Sequence, residues 1–216
     1  MASIQRTLRT VCWVFLMVVP CAGAPRAAAQ TPGTRILVVP FENARAEPRF
    51  QWLSEAAAVL LTDDFRAGGQ PAFARSERLR AFEHLYLPAS GSLSRATIIK
   101  VGQLVGAAQV VVGSFSVEGT ALSVTARSIR LDAGRLQPEV TERGQLNELF
   151  GIFERLAARI AQRAPRTGTS SVHPPLDAFE NYIKGLVAEN PVSQATFLEA
   201  ALRGQPQFDR AKLALW

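Results

Sequence analysis

Residues 107–130 read Ala107-Ala108-Gln109-Val110-Val111-Val112-Gly113-Ser114-Phe115-Ser116-Val117-Glu118-Gly119-Thr120-Ala121-Leu122-Ser123-Val124-Thr125-Ala126-Arg127-Ser128-Ile129-Arg130. Val110 to Val112 form an unbroken β-branched run, the pattern of a strand covered on both faces. Beyond it Phe115 and Val117 alternate with Ser114 and Ser116, so that end of the strand has one wet face. Glu118-Gly119 signals a tight hairpin, with glycine supplying the positive φ. Leu122, Val124 and Ala126 then alternate with Ser123, Thr125 and Arg127. A second turn at Asp132-Ala133-Gly134 precedes a third strand over Leu136 to Val140. The sum is a three-strand antiparallel meander. One irregularity stands in it: Ile129 and Leu131 fall on the opposite parity from Leu122, Val124 and Ala126. Either a bulge or a second buried face near Ser128 accounts for that. Phe115, deep in the meander, is expected to be a main core residue.

The flanking segments read as cover for this sheet. Arg35 to Phe41 is a continuous apolar run ended by Pro40, hence a buried strand, and 42–48 is a loop. Trp52, Leu53, Ala56, Val59, Leu60 and Phe65 recur at helical spacing over 51–66, with Gly68-Gly69 as the stop. Pro71 to Ala74 is a short strand at best. Ser76 fits the N-cap of a second helix bearing Leu79, Phe82 and Leu85. Ser94 fits the N-cap of a third over 95–105, with Ile98, Val101, Leu104 and Val105 inward and Gly106 at its end. Leu149, Phe150, Phe153, Leu156, Ala157 and Ile160 make a fourth, strongly amphipathic helix within 146–162. The order β-α-β-α-α-β-β-β-α predicts an α/β (α+β) fold: a mixed sheet with an antiparallel meander backed by helices, plus a C-terminal helical repeat hairpin.

The N-terminus stands outside that fold. Arg6 and Arg9 precede an apolar run from Val11 to Val19 and then Ala27-Ala28-Ala29, the layout of a secretory signal peptide over residues 1–29. The run falls short of the ~20 residues a spanning helix needs. Cys21 invites a lipoprotein reading, which Val19-Pro20 disfavours, since such sites want small residues before the cysteine. Membrane contact is therefore expected only through the signal peptide or a lipidated Cys21. The sequence has two cysteines, Cys12 and Cys21. With both in the signal, disulfides play no part in the exported chain. Of 24 Lys+Arg against 18 Asp+Glu, Arg6, Arg9 and Arg26 leave with the signal. The surplus drops to three scattered charges, which is no nucleic-acid footprint.

Residues 30–163 form one core-bearing domain, and 164–175, rich in Pro, Ser, Thr and Gly, read as a linker. In 176–216, Phe179, Tyr182, Ile183 and Leu186 recur at helical spacing up to Asn190-Pro191. Phe197, Leu198, Ala201 and Leu202 follow on a second helix, and a third begins near Phe208. Two short helices, a proline and a further helix make one unit of a helical repeat, which cannot bury its apolar face alone. Either more repeats cover it, or these helices dock on the first domain.

Arg35-Ile-Leu-Val-Val-Pro-Phe-Glu-Asn43, Trp52-Leu-Ser-Glu-Ala56, Val101-Gly-Gln-Leu-Val-Gly-Ala107 and Val112-Gly-Ser114 occur in order, followed by Val124-Thr-Ala-Arg127 and Asp132-Ala-Gly134. Together they resemble the TolB amino-terminal-like domain over roughly 35–163, a family related to the FlgO and curli-secretion lipoproteins. Residues 176–216 resemble tetratricopeptide helices, with Ala200-Ala201-Leu202 ahead of Pro206. The resemblance implies a periplasmic or envelope protein that binds or scaffolds other envelope proteins, or itself. A second implied role is an oligomeric assembly factor at the outer membrane. No β-propeller repeats follow, so the Pal-binding role of TolB is not implied.

No constellation of catalytic residues emerges. Gly102 and Gly106 lie within and at the end of a helix that precedes a strand, the reverse of a phosphate loop; helix–sheet packing explains them. Asp63-Asp64 are neighbours on a helix, do not face one another, and read as a solvated helix end. His84 and His173 are isolated, and Gly113-Ser114-Phe115-Ser116-Val117 lacks the last glycine of a nucleophile elbow. The expectation is a non-enzyme with no cofactor and no metal site. Tyr182, Ile183, Leu186, Phe197 and Trp216 are the candidate partner-binding residues, on the premise that an uncovered apolar patch marks an interface.

Overall fold

The computed structural model describes residues 34–88, 93–164 and 173–216. The signal peptide, Cys21 and most of the linker lie outside the described residues. The order is β1 Ile36–Val38, β2 Glu42–Asn43, α1 Trp52–Ala67, α2 Arg75–His84, α3 Arg95–Leu104, β3 Gln109–Glu118, β4 Ala121–Arg130, β5 Arg135–Leu136, β6 Val140–Gln145, α4 Leu149–Ile160, α5 Leu176–Val187, α6 Pro191–Gly204 and α7 Asp209–Leu215. β3 is the hub of a six-stranded mixed sheet. β1 and β2 run parallel to it and β4 antiparallel, while β5 and β6 both pair with the far side of β4.

The hairpin between β3 and β4 turns on Gly119-Thr120. Gly119 has φ 62° and Thr120 is not among the positive-φ residues, so only the first central position of this two-residue turn is left-handed. The register then runs unbroken from Glu118↔Ala121 to Gln109↔Arg130. There is no bulge. The parity change comes from a second buried face: Val111, Phe115, Leu122, Val124 and Ala126 join one core, whereas Val110 joins another. Ile129, directly opposite Val110, is buried. Leu131 packs against that second core.

On the first face lie α1 and α4, contributing Ala56, Leu61, Phe65, Ile152, Phe153 and Leu156. On the second lie α2 and α3, with Phe82, Ile98 and Val101 against Leu37 and Val39 of the first strand region. Gly102 is where α3 meets the sheet. A Cβ there would fall 2.5 Å from Val110 and 2.7 Å from Leu131, so close approach explains this glycine. Gly113 is confined likewise by the Phe41 ring and the Thr125 carbonyl.

Three local expectations need correction, and one, a short strand at best over 71–74, is met by a single bridge. The α2 N-cap is Ala74, not Ser76: Ser76 lies inside the helix, and the Glu77 carboxylate accepts the Ala74 N–H at 2.7 Å. The third meander strand is split into β5 and β6, because Pro138 between them has no N–H for the ladder. The loop at 42–48 contributes β2, through pairing of Glu42 and Asn43 with Ser114 and Phe115. Residues 71–74 give one isolated bridge, Ile36↔Ala72.

Glu77 also takes a two-pronged bond from Arg35, at 2.7 and 2.8 Å. Partial burial pushes this carboxyl up, but the Ala74 N–H and Arg35 prevail and hold it below its ordinary value. A depressed folded-state pKa means stability present above the unfolded value and lost as pH falls through the folded one. Glu77→Gln is therefore expected to flatten the acid limb of the stability profile below the ordinary carboxylate pKa. Urea midpoints measured across pH 3–6 check this, and a limb as steep as wild type would count against it.

The edge strand β6 is closed off by neighbouring side chains. The Thr141 carbonyl accepts from Arg159 of α4 at 2.9 Å, and the Gln145 N–H donates to Glu148 at 3.1 Å. Arg155 and Arg159 further pair with Glu142.

Candidate interaction site

The C-terminal helices dock on the first domain, one of the two outcomes open from the sequence. Phe179 of α5 meets Trp52 edge-on at 6.4 Å and Phe150 at 5.1 Å, and Tyr182 packs on Phe208 at 4.9 Å. His173 stacks flat on Phe150 at 4.3 Å. Tyr182 and Ile183 are 8% and 0% exposed and belong to the same core as α1. They are thus internal seam residues, and the expected exposed patch does not include them. Burial pushes the Tyr182 phenol pKa up.

This docking explains α1. Every residue from Trp52 to Thr62 is buried, including Ser54 and Glu55. A helix with no solvent face has something on each side; here it is the sheet on one side and α5 to α7 on the other. Glu55, at 4% exposure, cannot remain there as a lone charge. Two arginines of α2 reach it: Arg75 Nε donates to Glu55 Oε1 at 2.8 Å, and Arg78 Nη2 donates to the same oxygen. Arg78 is 2% exposed and also donates to the Val38 carbonyl at 3.2 Å. Burial lowers the Arg78 pKa against the opposing pull of Glu55. Arg75 continues to the Leu186 carbonyl near the C-terminus of α5, at 2.6 Å. One carboxylate thereby ties α1, α2, β1 and α5 together.

Asp63 is not a merely solvated helix end either. It pairs with Arg210 of α7, where that bond outweighs burial and raises the arginine's pKa. Sequence reasoning missed Glu55, Arg75, Arg78 and Arg210. A signal for Glu55 was present: it immediately precedes Ala56-Ala-Ala-Val-Leu-Leu61, a run too apolar for a helix with a wet face. Its partners lie 20 and 23 residues away, and no local spacing reveals them.

Two concavities flank this seam. The first, of about 450 Å³, has Pro40, Pro48 and Trp52 on one wall and Val187, Ala188 and Phe197 on the other, with Glu55, Lys184 and Ser193 among its polar lining. The second, of about 580 Å³, is lined by Arg66, Arg75, Arg78 and Arg210 together with Tyr182, Leu186 and Leu213. Of the candidate partner residues, the structure brings Phe197 to the first and Tyr182 and Leu186 to the second. Trp216 is fully exposed at the end of α7.

Half of the second sheet face lies beyond the helices. Ser114, Ser116, Ser123 and Thr125 are half-buried there, Thr125 and Thr141 share a hydroxyl contact of 3.1 Å, and Arg127 pairs with Glu139. Ser114 has no base beside it among the contacts described. Among the described residues, no three His, Cys, Asp or Glu side chains are grouped to hold a metal ion, and no helix is long and apolar enough to cross a membrane.

No family model and no curated protein matches the chain. Solved structures do. The chain is similar to the LpoB C-terminal domain from Salmonella enterica at 20% identity and a TM-score of 0.42, over 55% of this chain and 87% of that one. It is similar to the lipoprotein GNA1162 from Neisseria meningitidis at 20% identity and a TM-score of 0.41, over 65% and 99%. TolB from Acinetobacter baumannii follows at 13% identity and a TM-score of 0.40, over 60% of this chain and 28% of that one.

Proposed function

We propose that this chain is an exported envelope protein that binds other proteins and performs no chemistry on them, with α5 and α6 forming the beginning of a tetratricopeptide-like array. The groove of about 450 Å³ between the 40–52 region and the α5–α6 junction carries the proposal. Its size falls within the range of ligand-binding clefts, about 300–1,000 Å³. Opposed apolar walls with Lys184 and Glu189 at the margin suit a short segment of a partner protein, gripped by its side chains. The Glu55 network holds both walls in register, so the groove is preformed and costs little ordering on binding. The groove's position at a seam between two structural parts suits a binding role.

A photo-crosslinking residue at Ser193, on the groove, tests this in cells expressing the full chain. One discrete protein adduct is expected, and Val187→Glu together with Phe197→Glu should remove it. The same crosslinker at Tyr86, 96% exposed and remote from the groove lining, is expected to yield no such adduct. An adduct that survives the double variant, or none at all from Ser193, overturns the proposal. An adduct of twice the chain mass identifies the partner as a second copy.

A further inference from the structure

We propose that the second cavity, lined by α1, α2, α5 and α7, binds an oxyanion, a carboxylate or a phosphate, carried by a small molecule. This is separate from the groove assigned to protein docking and does not depend on it. Three independent observations converge on it.

The first is a charge imbalance. Four guanidinium groups, Arg66, Arg75, Arg78 and Arg210, line a space of about 580 Å³. Asp63 neutralises Arg210. Glu55 alone serves both Arg75 and Arg78, through a single oxygen. Arg66 spends its donors on the Ala72 carbonyl, 3.9 Å from a Glu77 already engaged by Arg35. Two carboxylates on this cluster thus face four cations, with the third acid committed elsewhere. An excess of positive charge in partly dehydrated surroundings favours an anion.

The second is an orphaned donor. Arg78 Nε–H is buried and meets no acceptor in the protein, though the side chain is only 2% exposed. A buried donor of a charged group left unbonded is costly, and it leaves the Arg78 charge met only through its two Nη groups, by the Val38 carbonyl and the shared Glu55 oxygen. The third is the start of α2. Arg75 and Ser76, its first two residues, line the cavity, while the Glu77 carboxylate in the same turn accepts the Ala74 N–H. The positive end of the helix dipole adds to the potential at the same place, partly offset by Glu77. Opposite the charges, Leu186, Leu213 and Ala214 supply an apolar wall, which fits an anionic head on an aliphatic stem.

Thermal melts of the purified protein test this at constant ionic strength, titrating inorganic phosphate, acetate, octyl phosphate and octanoate, the last two below micelle formation, against sodium chloride. The melting temperature is expected to rise saturably with phosphate or carboxylate and not with chloride. If the octyl compounds saturate at lower concentration than their parents, the natural ligand carries an apolar stem; equal responses mean the free anion suffices. Both outcomes support the site. Ser76→Asp places a carboxylate in the first turn of α2, where the helix tolerates it, and should weaken the apparent affinity at least about tenfold, the scale of one lost charge-assisted bond. Arg66→Gln, on a partly exposed side chain, should weaken it in the same direction while leaving the Glu55 pair intact. All anions acting as chloride does, or Ser76→Asp responding as wild type, overturns the proposal.

Discussion

Glu55→Ala is expected to destabilise the protein by about 3–5 kcal/mol, the scale for breaking a buried ion pair from one side. The substitution removes the carboxylate and leaves Arg78 enclosed, with the Val38 carbonyl as its remaining described acceptor. Arg75 loses its anchor as well, and with it the geometry that directs Nη2 to Leu186 O. Against a typical total of about 5–15 kcal/mol, such a loss is at least a fifth of the whole. Equilibrium urea unfolding measures it. A companion variant separates charge from packing: Glu55→Leu with Arg78→Met removes both charges and should recover much of the loss, because a well-packed apolar pair rivals a buried salt bridge. A loss below about 1 kcal/mol for Glu55→Ala would place this network at the level of a surface pair and remove its role as a clasp.

Phe115→Ala is the second large effect, expected at about 3–5 kcal/mol. Phe115 is 2% exposed, pairs with Val124 across the hairpin and belongs to the main core. Truncation loses the transfer energy of the ring and leaves a void beneath α1 and α4 that a close-packed interior fills poorly. Leu213→Ala makes the control: at 79% exposure it should stay within about 0.5 kcal/mol. Equal losses at both positions would show that β3 does not hold the central place assigned to it.

The sheet was legible because its determinants are local. Period-two alternation in 113–126 names the buried side of β3 and β4, and Gly119 names the turn. Ser94 as an N-cap, accepting the Thr97 N–H at 3.1 Å, was legible for the same reason. Long-range determinants were not. Ala57, Ala58, Leu61 and Thr62 fall off the stripe that an amphipathic reading of α1 picks out, yet all are buried, because α5 to α7 cover the side a two-layer fold would leave wet. The same docking removes Tyr182 and Ile183 from the surface where their helical spacing alone put them. Whether an apolar helix face meets solvent, a further repeat or its own domain depends on where the chain returns, and periodicity carries no such information. Among the residues lining the two cavities, Phe197, Tyr182 and Leu186 were named from sequence, whereas Trp216, named with them, lines neither. The arginines that define the second cavity were not, since charged residues scattered along a chain look alike until folding gathers them.

The stoppered flank of β6 constrains how copies of this protein can meet. With Arg159 occupying the outward Thr141 carbonyl and Glu148 the outward Gln145 amide, an incoming chain finds only part of that rim's main-chain groups left for it. Growth of the sheet from molecule to molecule is thereby discouraged at the β6 border, as exposed edges in stable proteins generally require. Association across the β6 border is therefore expected to rest on side-chain contacts rather than on an extended ladder.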